Sequence, residues 1–120
     1  MRALAAGVAA VALLAGCGGG SSVSQPAGST KVTMTEYSFT PSTITVPNGK
    51  VVLYLVNSGT ISHDMIIRDS SGATVASSEL ISAGDSFVFT VNNIAAGSYN
   101  FDCDQPGHKA SGMKGTLTVT

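Results

Sequence analysis

The stretch that decides the fold is Tyr99-Asn-Phe-Asp-Cys103-Asp-Gln-Pro-Gly-His-Lys-Ala-Ser-Gly-Met-Lys-Gly-Thr-Leu-Thr-Val119. Its first part alternates apolar and polar side chains as far as Cys103, and the alternation resumes at Leu117 and Val119. A period of two residues is typical of a strand that buries one face. Proline and glycine punctuate the segment in between, as they do in loops. The stretch therefore predicts two strands joined by a loop.

Short runs of the same kind fill the chain from residue 31 onward, and no segment has a convincing period of 3.6 residues. We predict strands near residues 31–39, 43–47, 50–57, 63–69, 73–80, 85–92, 97–103 and 113–119. Turn residues separate these runs, and Asn48-Gly49 is the best single hairpin candidate. About eight short strands at this spacing predict an all-β domain, an antiparallel sandwich or barrel.

The same alternation predicts which side chains lie inside the domain. The continuous apolar run Val51–Val56 predicts a central strand that is covered on both faces. The expected interior positions are Val32, Ile44, Val46, Leu53, Leu55, Ile66, Phe87, Phe89, Tyr99, Phe101, Leu117 and Val119.

The first 29 residues have a different character. Arg2 precedes an apolar run, Ala3–Ala15, that is shorter than the roughly 20 residues of a spanning helix and typical of an export signal. The run ends in Leu-Ala-Gly-Cys17, which resembles a bacterial lipobox. We therefore predict a lipoprotein signal peptide over residues 1–16, with an ordinary signal peptide as the alternative. Residues 17–29 then form a lipidated cysteine and a flexible Gly/Ser linker, followed by one domain over 30–120.

The charge of the chain narrows the classes of partner. Six basic and seven acidic side chains give a formal net charge of −1 at pH 7, which argues against nucleic acid. With Cys17 taken by lipid, Cys103 has no disulfide partner. An unpaired cysteine in an exported chain requires an explanation, and metal ligation is one.

Four side chains have the chemistry of metal ligands. Cys103, His108 and Met113 follow one another at equal intervals along the predicted loop, and His63 opens a different predicted strand. A thiolate and two imidazoles in a trigonal arrangement, with a weak axial methionine, form a blue-copper site. Each residue also has an ordinary reading: a small buried cysteine, a polar His63–Asp64 pair, a histidine in a turn, a methionine in the core. Their shared position at predicted strand ends favours the metal site.

The quoted stretch, together with His63, resembles the cupredoxins, the blue-copper family that includes plastocyanin, azurin, auracyanin and rusticyanin. The likeness covers residues 31–120, and the loop spacing is most similar to auracyanin and rusticyanin. The resemblance implies an eight-stranded Greek-key sandwich that binds one type 1 copper ion. It implies the ligands His63, Cys103, His108 and Met113, with electrons passing through the exposed edge of His108.

The resemblance also bears on the surroundings of the ligands. Many family members have asparagine after the first histidine, where this chain has Asp64. A carboxylate accepts hydrogen bonds but cannot donate them, so we expect a one-sided tie between the ligand loops, with Asp104 as a nearby like charge. We expect backbone groups near Asp64 and in Pro106–Ala110 to donate to the Cys103 sulfur and tune the potential.

Three functions stay open at this point. The leading one is a monomeric electron carrier, exported and anchored through Cys17, at the periplasmic or outer cell surface; its partners would be cytochromes or membrane oxidoreductases. The second is a copper storage or delivery protein, with Met34 and Met65 as further soft donors. The third is an interaction domain whose cysteine and histidines are incidental. We do not expect an enzyme, because no histidine is left for a second copper centre. Zinc is less suited, since thioether is not among its usual ligands.

Overall fold

The computed structural model describes residues 23–120 and contains nine strands in that range. They are β1 (Thr30–Thr35), β2 (Ser38–Thr40), β3 (Thr43–Val46), β4 (Gly49–Asn57), β5 (Ile66–Arg68), β6 (Thr74–Ser77), β7 (Ser86–Ile94), β8 (Gly97–Asp102) and β9 (Lys114–Val119). Among these residues no helix has the length and apolarity needed to cross a membrane. The predicted signal peptide, Cys17 and residues 18–22 of the predicted linker lie outside the described residues.

The strands form two sheets with one apolar core. The first sheet has the order β2-β1-β4-β7 and the second the order β3-β9-β8-β5-β6. Leu53 and Phe89 from the first sheet join Phe101 and Leu117 from the second in a single buried cluster. The predicted all-β sandwich is therefore confirmed. The sheets are mixed rather than wholly antiparallel, because β1 runs parallel to β4 and β3 runs parallel to β9.

The ninth strand arises because the predicted strand over residues 31–39 is two strands. The chain reverses at Glu36-Tyr37, and β2 folds back on β1 with Met34 opposite Phe39. Val32, Met34 and Phe39 are all buried, although Phe39 is out of step with the other two in a period of two. That change of parity is the sequence signal of the turn.

The turn at Asn48-Gly49 is present, but the hairpin prediction was wrong. β3 and β4, on either side of it, belong to different sheets. Gly49 has a φ of 102°, which glycine adopts without strain, and the Asn48 N–H donates to the carbonyl of Thr120. The turn carries the chain across the sandwich, because Ile44 pairs beside Leu117 in the opposite sheet.

Most of the predicted interior is buried, with instructive exceptions. Val46, Phe87 and Tyr99 are only partly buried against the core. Ile66 is buried but lies outside the core cluster, whereas its neighbour Ile67 belongs to it. β4 is central in its sheet, as predicted, but its residues alternate between buried and half-buried. One face of β4 therefore lies against the core and the other is only partly covered.

Strand pairing decides which loops meet. β5 pairs with β8 so that Ile66, at the start of β5, lies opposite Asp102, at the end of β8. β8 pairs with β9 so that Asp102 also lies opposite Lys114. The loop that ends at β5 and the loop from β8 to β9 therefore emerge side by side at one end of the sandwich. Those loops carry His63 and the Cys103–Met113 segment.

Candidate metal centre

Three of the four predicted ligands converge at this end of the sandwich. His63 Nδ1 lies 3.2 Å from His108 Nδ1, and the Cys103 Sγ lies 3.9 Å and 3.4 Å from these two atoms respectively. All three residues are buried. The centroids of the two imidazole rings are 5.0 Å apart, and the rings are tilted by 59°. One ligand atom from each of the three residues lies within 4.8 Å of the others. The structure thus brings together residues that are forty positions apart in the chain.

These separations match the donors of a single ion. Metal–nitrogen bonds of about 2.0 Å and metal–sulfur bonds of about 2.3 Å, set about 120° apart, would place the nitrogens about 3.5 Å from each other. The same geometry would place sulfur about 3.7 Å from each nitrogen. The observed nitrogen–nitrogen distance of 3.2 Å is slightly shorter than this value, and the two sulfur–nitrogen distances of 3.4 Å and 3.9 Å bracket theirs. A soft thiolate with two imidazoles is a donor set that suits copper.

His63 is fixed by a backbone bridge to Ile81 and by the side chain of Asn57 at the end of β4. Its backbone N–H donates to the carbonyl of Ile81, and the Ile81 N–H donates back to the carbonyl of His63. The buried Asn57 side chain holds the preceding turn, since its Nδ2 donates to the carbonyls of Ile61 and Ile81 and its Oδ1 accepts from the Gly59 N–H. The predicted strand 63–69 is therefore a bridge at His63 followed by β5.

The loop that carries the other candidates is held by its own backbone. The His108 N–H donates to the carbonyl of Gln105 at 3.0 Å, and the Met113 N–H donates to the carbonyl of His108 at 3.1 Å. The Cys103 N–H donates to the carbonyl of Met113 at 3.2 Å and closes the loop. Gly112 has a φ of 109°, in the region that favours glycine, and permits the last turn.

Met113 occupies the fourth predicted position. It is fully buried, at 0% exposure, and belongs to the apolar core cluster. Its backbone is hydrogen-bonded to both Cys103 and His108 at the closed end of the loop. Ligation by the Met113 thioether stays a prediction. Met34 and Met65 are equally buried in the core, which is the ordinary role that their apolar side chains favour.

Asp64 ties the two loops together as an acceptor. Its Oδ1 accepts the backbone N–H of Asp104 at 2.7 Å, and its Oδ2 lies 3.4 Å from the Gln105 side-chain nitrogen. Asp64 is the acceptor in both contacts, and the second loop supplies the donors, as expected for a carboxylate. The Asp104 side chain was expected to be a like charge near Asp64. It is exposed and lies 3.9 Å from the Arg68 guanidinium, a neighbouring positive charge.

The environment of Cys103 opposes ionisation of the free thiol. Burial raises the pKa of Cys103, whereas backbone hydrogen bonds from Asp64 and Gln105 lower it. The contribution from Asp64 agrees with the predicted donor near that residue. Donation from Pro106–Ala110 stays a prediction. Because a metal ligates the thiolate, ion binding would release the thiol proton. Burial also lowers the pKa of His63 and favours the neutral imidazole that a metal needs.

Two further residues at the centre were not found from the sequence. Glu36 Oε1 lies 3.3 Å from His63 Nε2, and the Tyr37 ring packs edge-on against His108 with centroids 4.9 Å apart. Both belong to the turn between β1 and β2. The chain contains few acidic or aromatic residues, but nothing in their local pattern indicates contact with the histidines. The change of parity before Phe39 marks the turn without showing what it touches.

A cluster of ion pairs lies beside the centre at the end of β8. The buried carboxylate of Asp102 accepts two hydrogen bonds from Arg68, at 2.8 Å and 3.2 Å, and lies 3.5 Å from Lys109 Nζ. Asp102 directly precedes Cys103, and Lys109 directly follows His108. The cluster therefore joins the ends of β5 and β8 to the loop residue that follows His108.

A β-sandwich that carries a buried His–Cys–His donor set at one end has the features of a copper-binding electron-transfer domain. Residues 5–119 match a family model described as a cupredoxin-like domain. The match covers nearly the whole chain, so the chain belongs to the cupredoxin-like family, as the sequence predicted. This is a family of electron carriers whose members bind one copper ion, and His63, Cys103 and His108 stand together as a possible site for it.

Individual relatives agree with this assignment. Auracyanin from Roseiflexus castenholzii has a similar structure, with a TM-score of 0.69 and 22% identity over 80% of this chain and 99% of that chain, a likeness that shows the fold. Plastocyanin from Scenedesmus fuscus is 29% identical over 86 residues, 68% of this chain and 85% of that protein. Auracyanin-B from Chloroflexus aurantiacus is 49% identical over 41 residues. That match spans 34% of this chain and only 17% of the length of auracyanin-B.

Proposed function

We propose that this protein is a type 1 copper electron carrier whose ligands are His63, Cys103, His108 and Met113. The observation that carries the proposal is the convergence of two buried imidazoles and a buried thiol, with ligand atoms 3.2–3.9 Å apart. The copper ion would supply one-electron chemistry by cycling between Cu(II) and Cu(I). The chain supplies a donor set that both oxidation states accept.

The rigidity of the site supports electron transfer in particular. The His63 backbone is bonded in both directions to Ile81, and the Cys103 backbone is bonded to Met113. Asp64 joins the two loops. Donors fixed in this way move little when an electron arrives or leaves, which keeps the reorganisation of the site small.

His108 is the proposed route by which electrons reach a partner. It is 9% exposed, whereas His63 is 0% and Cys103 is 1% exposed. The exposed residues Pro106, Gly107 and Ala110 surround it along the loop. These three residues are uncharged, and the exposed Lys109 between them pairs with Asp102. The surface suits a short-lived contact with another redox protein, such as a cytochrome or a membrane oxidoreductase. A monomer leaves this face free for the partner.

Copper storage or delivery without redox turnover is the alternative function. This function would use Met34 and Met65 as additional soft donors for copper. Both are 0% exposed and pack in the apolar core, so they offer no second site that copper could enter from solvent. The electron-carrier function therefore has the stronger support.

We further propose that the chain is exported and anchored to a membrane. The proposal depends on the apolar run before Cys17 and on the resemblance of Leu-Ala-Gly-Cys17 to a lipobox. Residues 1–16 would be removed, Cys17 would carry lipid, and residues 17–29 would tether the domain over 30–120 at the periplasmic or outer cell surface. Cys17→Ser should release the protein from membranes in fractionated cells. Retention of that variant in the membrane fraction would refute the anchor.

The copper-loaded domain tests the main proposal. We expect an intense blue colour, a reversible one-electron potential, fast self-exchange, and a higher melting temperature with copper than without it. Met113→Gln should keep copper but lower the potential, because an oxygen ligand stabilises Cu(II) more than thioether does. A protein that binds Cu(I) but cannot be cycled would instead be a delivery protein, and a protein indifferent to copper would be an interaction domain.

A further inference from the structure

The turn between β1 and β2 contacts the more deeply buried histidine of the centre. Glu36 Oε1 lies 3.3 Å from His63 Nε2, while the Nδ1 of the same ring faces His108 and Cys103. A neutral imidazole carries one N–H and one lone pair. If Nε2 carries the hydrogen and donates it to Glu36, the lone pair is at Nδ1, where the other donors converge.

The carboxylate of Glu36 is itself held in place. Its Oε1 accepts the backbone N–H groups of Thr60 at 2.8 Å and Ile61 at 3.0 Å. These groups belong to the same loop as His63, so the carboxylate and the ring are fixed to one segment. Two backbone N–H donors on one carboxylate oxygen favour the ionised form of the group.

Gly59 provides the room for this arrangement. A Cβ atom at position 59 would lie 2.6 Å from Oε1 and 2.7 Å from Oε2 of Glu36. The φ angle of Gly59 is not positive, so the backbone conformation does not by itself require glycine at this position. The absence of a side chain there is therefore explained by the carboxylate that occupies the space.

We propose that Glu36 is a positioning residue of the metal centre, which holds His63 with Nδ1 free for the ion and lowers the reduction potential of bound copper. The proposal rests on the copper function proposed above. A negative charge beside a ligand stabilises the doubly charged Cu(II) more than the singly charged Cu(I). The hydrogen bond from the ring also increases the basicity of the ligand nitrogen.

A purely structural role makes a different prediction. If Glu36 only pins Thr60 and Ile61, removing its charge while keeping an acceptor would leave the potential unchanged. Glu36→Gln does this, because the amide oxygen can accept the same backbone N–H groups. Glu79→Gln is the matched control. Glu79 is exposed on the segment between β6 and β7, so this substitution removes the same charge at a position outside the Glu36 network.

The first experiment is a redox titration of the copper-loaded wild type, Glu36→Gln and Glu79→Gln, followed by the visible spectrum. At a fixed ambient potential, Glu36→Gln should raise the ratio of Cu(I) to Cu(II) by about tenfold, which corresponds to about 59 mV for one electron. Glu79→Gln should change that ratio less than about twofold, because an exposed charge is screened. Equal shifts in the two variants would overturn the tuning role.

The second experiment needs no copper and separates this proposal from the proposed function. Nitrogen-15 NMR of the copper-free protein reports which ring nitrogen of His63 carries the hydrogen. The wild type should be protonated at Nε2, and Glu36→Ala should increase the population protonated at Nδ1. Protonation mainly at Nδ1 in the wild type would overturn the positioning role. A colourless copper-loaded wild type would instead refute the copper function, while the NMR result would still decide the role of Glu36.

Discussion

The two loops that form the metal centre are stabilised in opposite ways. The β4–β5 loop contributes one donor, His63, and is held by Glu36 and Ile81, which are distant in sequence, and by Asn57 at the end of β4, which also bonds to Ile81. The β8–β9 loop contributes the remaining candidates and is held largely by hydrogen bonds within residues 103–113. The difference shows that the centre has one side built by tertiary structure and one side built by local sequence.

The exposure of the two histidines follows from this difference. His63 is enclosed on all sides by the elements that fix it, at 0% exposure. His108 lies on a turn that is held by backbone hydrogen bonds within its own loop. The residue is 9% exposed, so one edge of it reaches the surface. One ligand can thus be rigid and the other accessible within a single small site.

The strongest test of this contrast is Asn57→Ala. The substitution removes three hydrogen bonds from the β4–β5 loop and leaves the Ile81 carbonyl with the His63 N–H as its donor. We expect the free energy of unfolding of the copper-free protein to fall by about 2–4 kcal/mol in urea denaturation. Asn92→Ala, an exposed position on β7, is the control and should cost less than about 0.5 kcal/mol. Equal losses would mean that Asn57 does not hold the loop.

The next test addresses the tie between the loops. Asp64→Ala removes the acceptor for the Asp104 N–H, and we expect unfolding of the copper-free protein to become easier by about 1–3 kcal/mol. Asp64→Asn keeps an oxygen acceptor and should retain most of that stability. Thermal melts of the two variants measure the difference. If asparagine is as damaging as alanine, the tie depends on the charge and not on the hydrogen bond.

The smallest expected effect concerns the exposed side of the centre. Tyr37→Leu removes the edge-on contact with His108, and we expect a loss of about 0.5–1.5 kcal/mol in the free energy of unfolding. Tyr37→Phe keeps the ring and should be nearly neutral. A loss larger than that of Asn57→Ala in the same denaturation experiment would contradict the view that the His108 side depends mainly on its own loop.

The same division explains which parts of the fold could be predicted. Alternation of apolar and polar residues located most strands, because a half-buried strand has this period of two in its own local sequence. The pairing of strands was not accessible in this way. Asn48-Gly49 has the composition of a hairpin turn but crosses between the sheets, since Ile44 packs beside Leu117 at the far end of the chain. Parallel pairs such as β1 with β4 likewise depend on contacts between separate segments.

The candidate site was predictable for a related reason. Cys103, His108 and Met113 lie on one loop, so their equal spacing is visible in the sequence. His63 could be added because the chain has only two histidines. Glu36 and Tyr37 could not be found, because the reversal of the chain after β1 brings them to the histidines from another part of the sequence. Their contacts are a consequence of the sheet order.

The most direct test of the central claim is X-ray absorption at the copper edge of the Cu(II)-loaded protein, with Cys103→Ala as the reference. The account predicts one short copper–sulfur bond and two copper–nitrogen bonds near 2.0 Å in the wild type. It predicts loss of the short sulfur contact and of the blue colour in the variant. A wild-type spectrum with only nitrogen and oxygen neighbours, or one unchanged by Cys103→Ala, would show that these side chains do not share an ion.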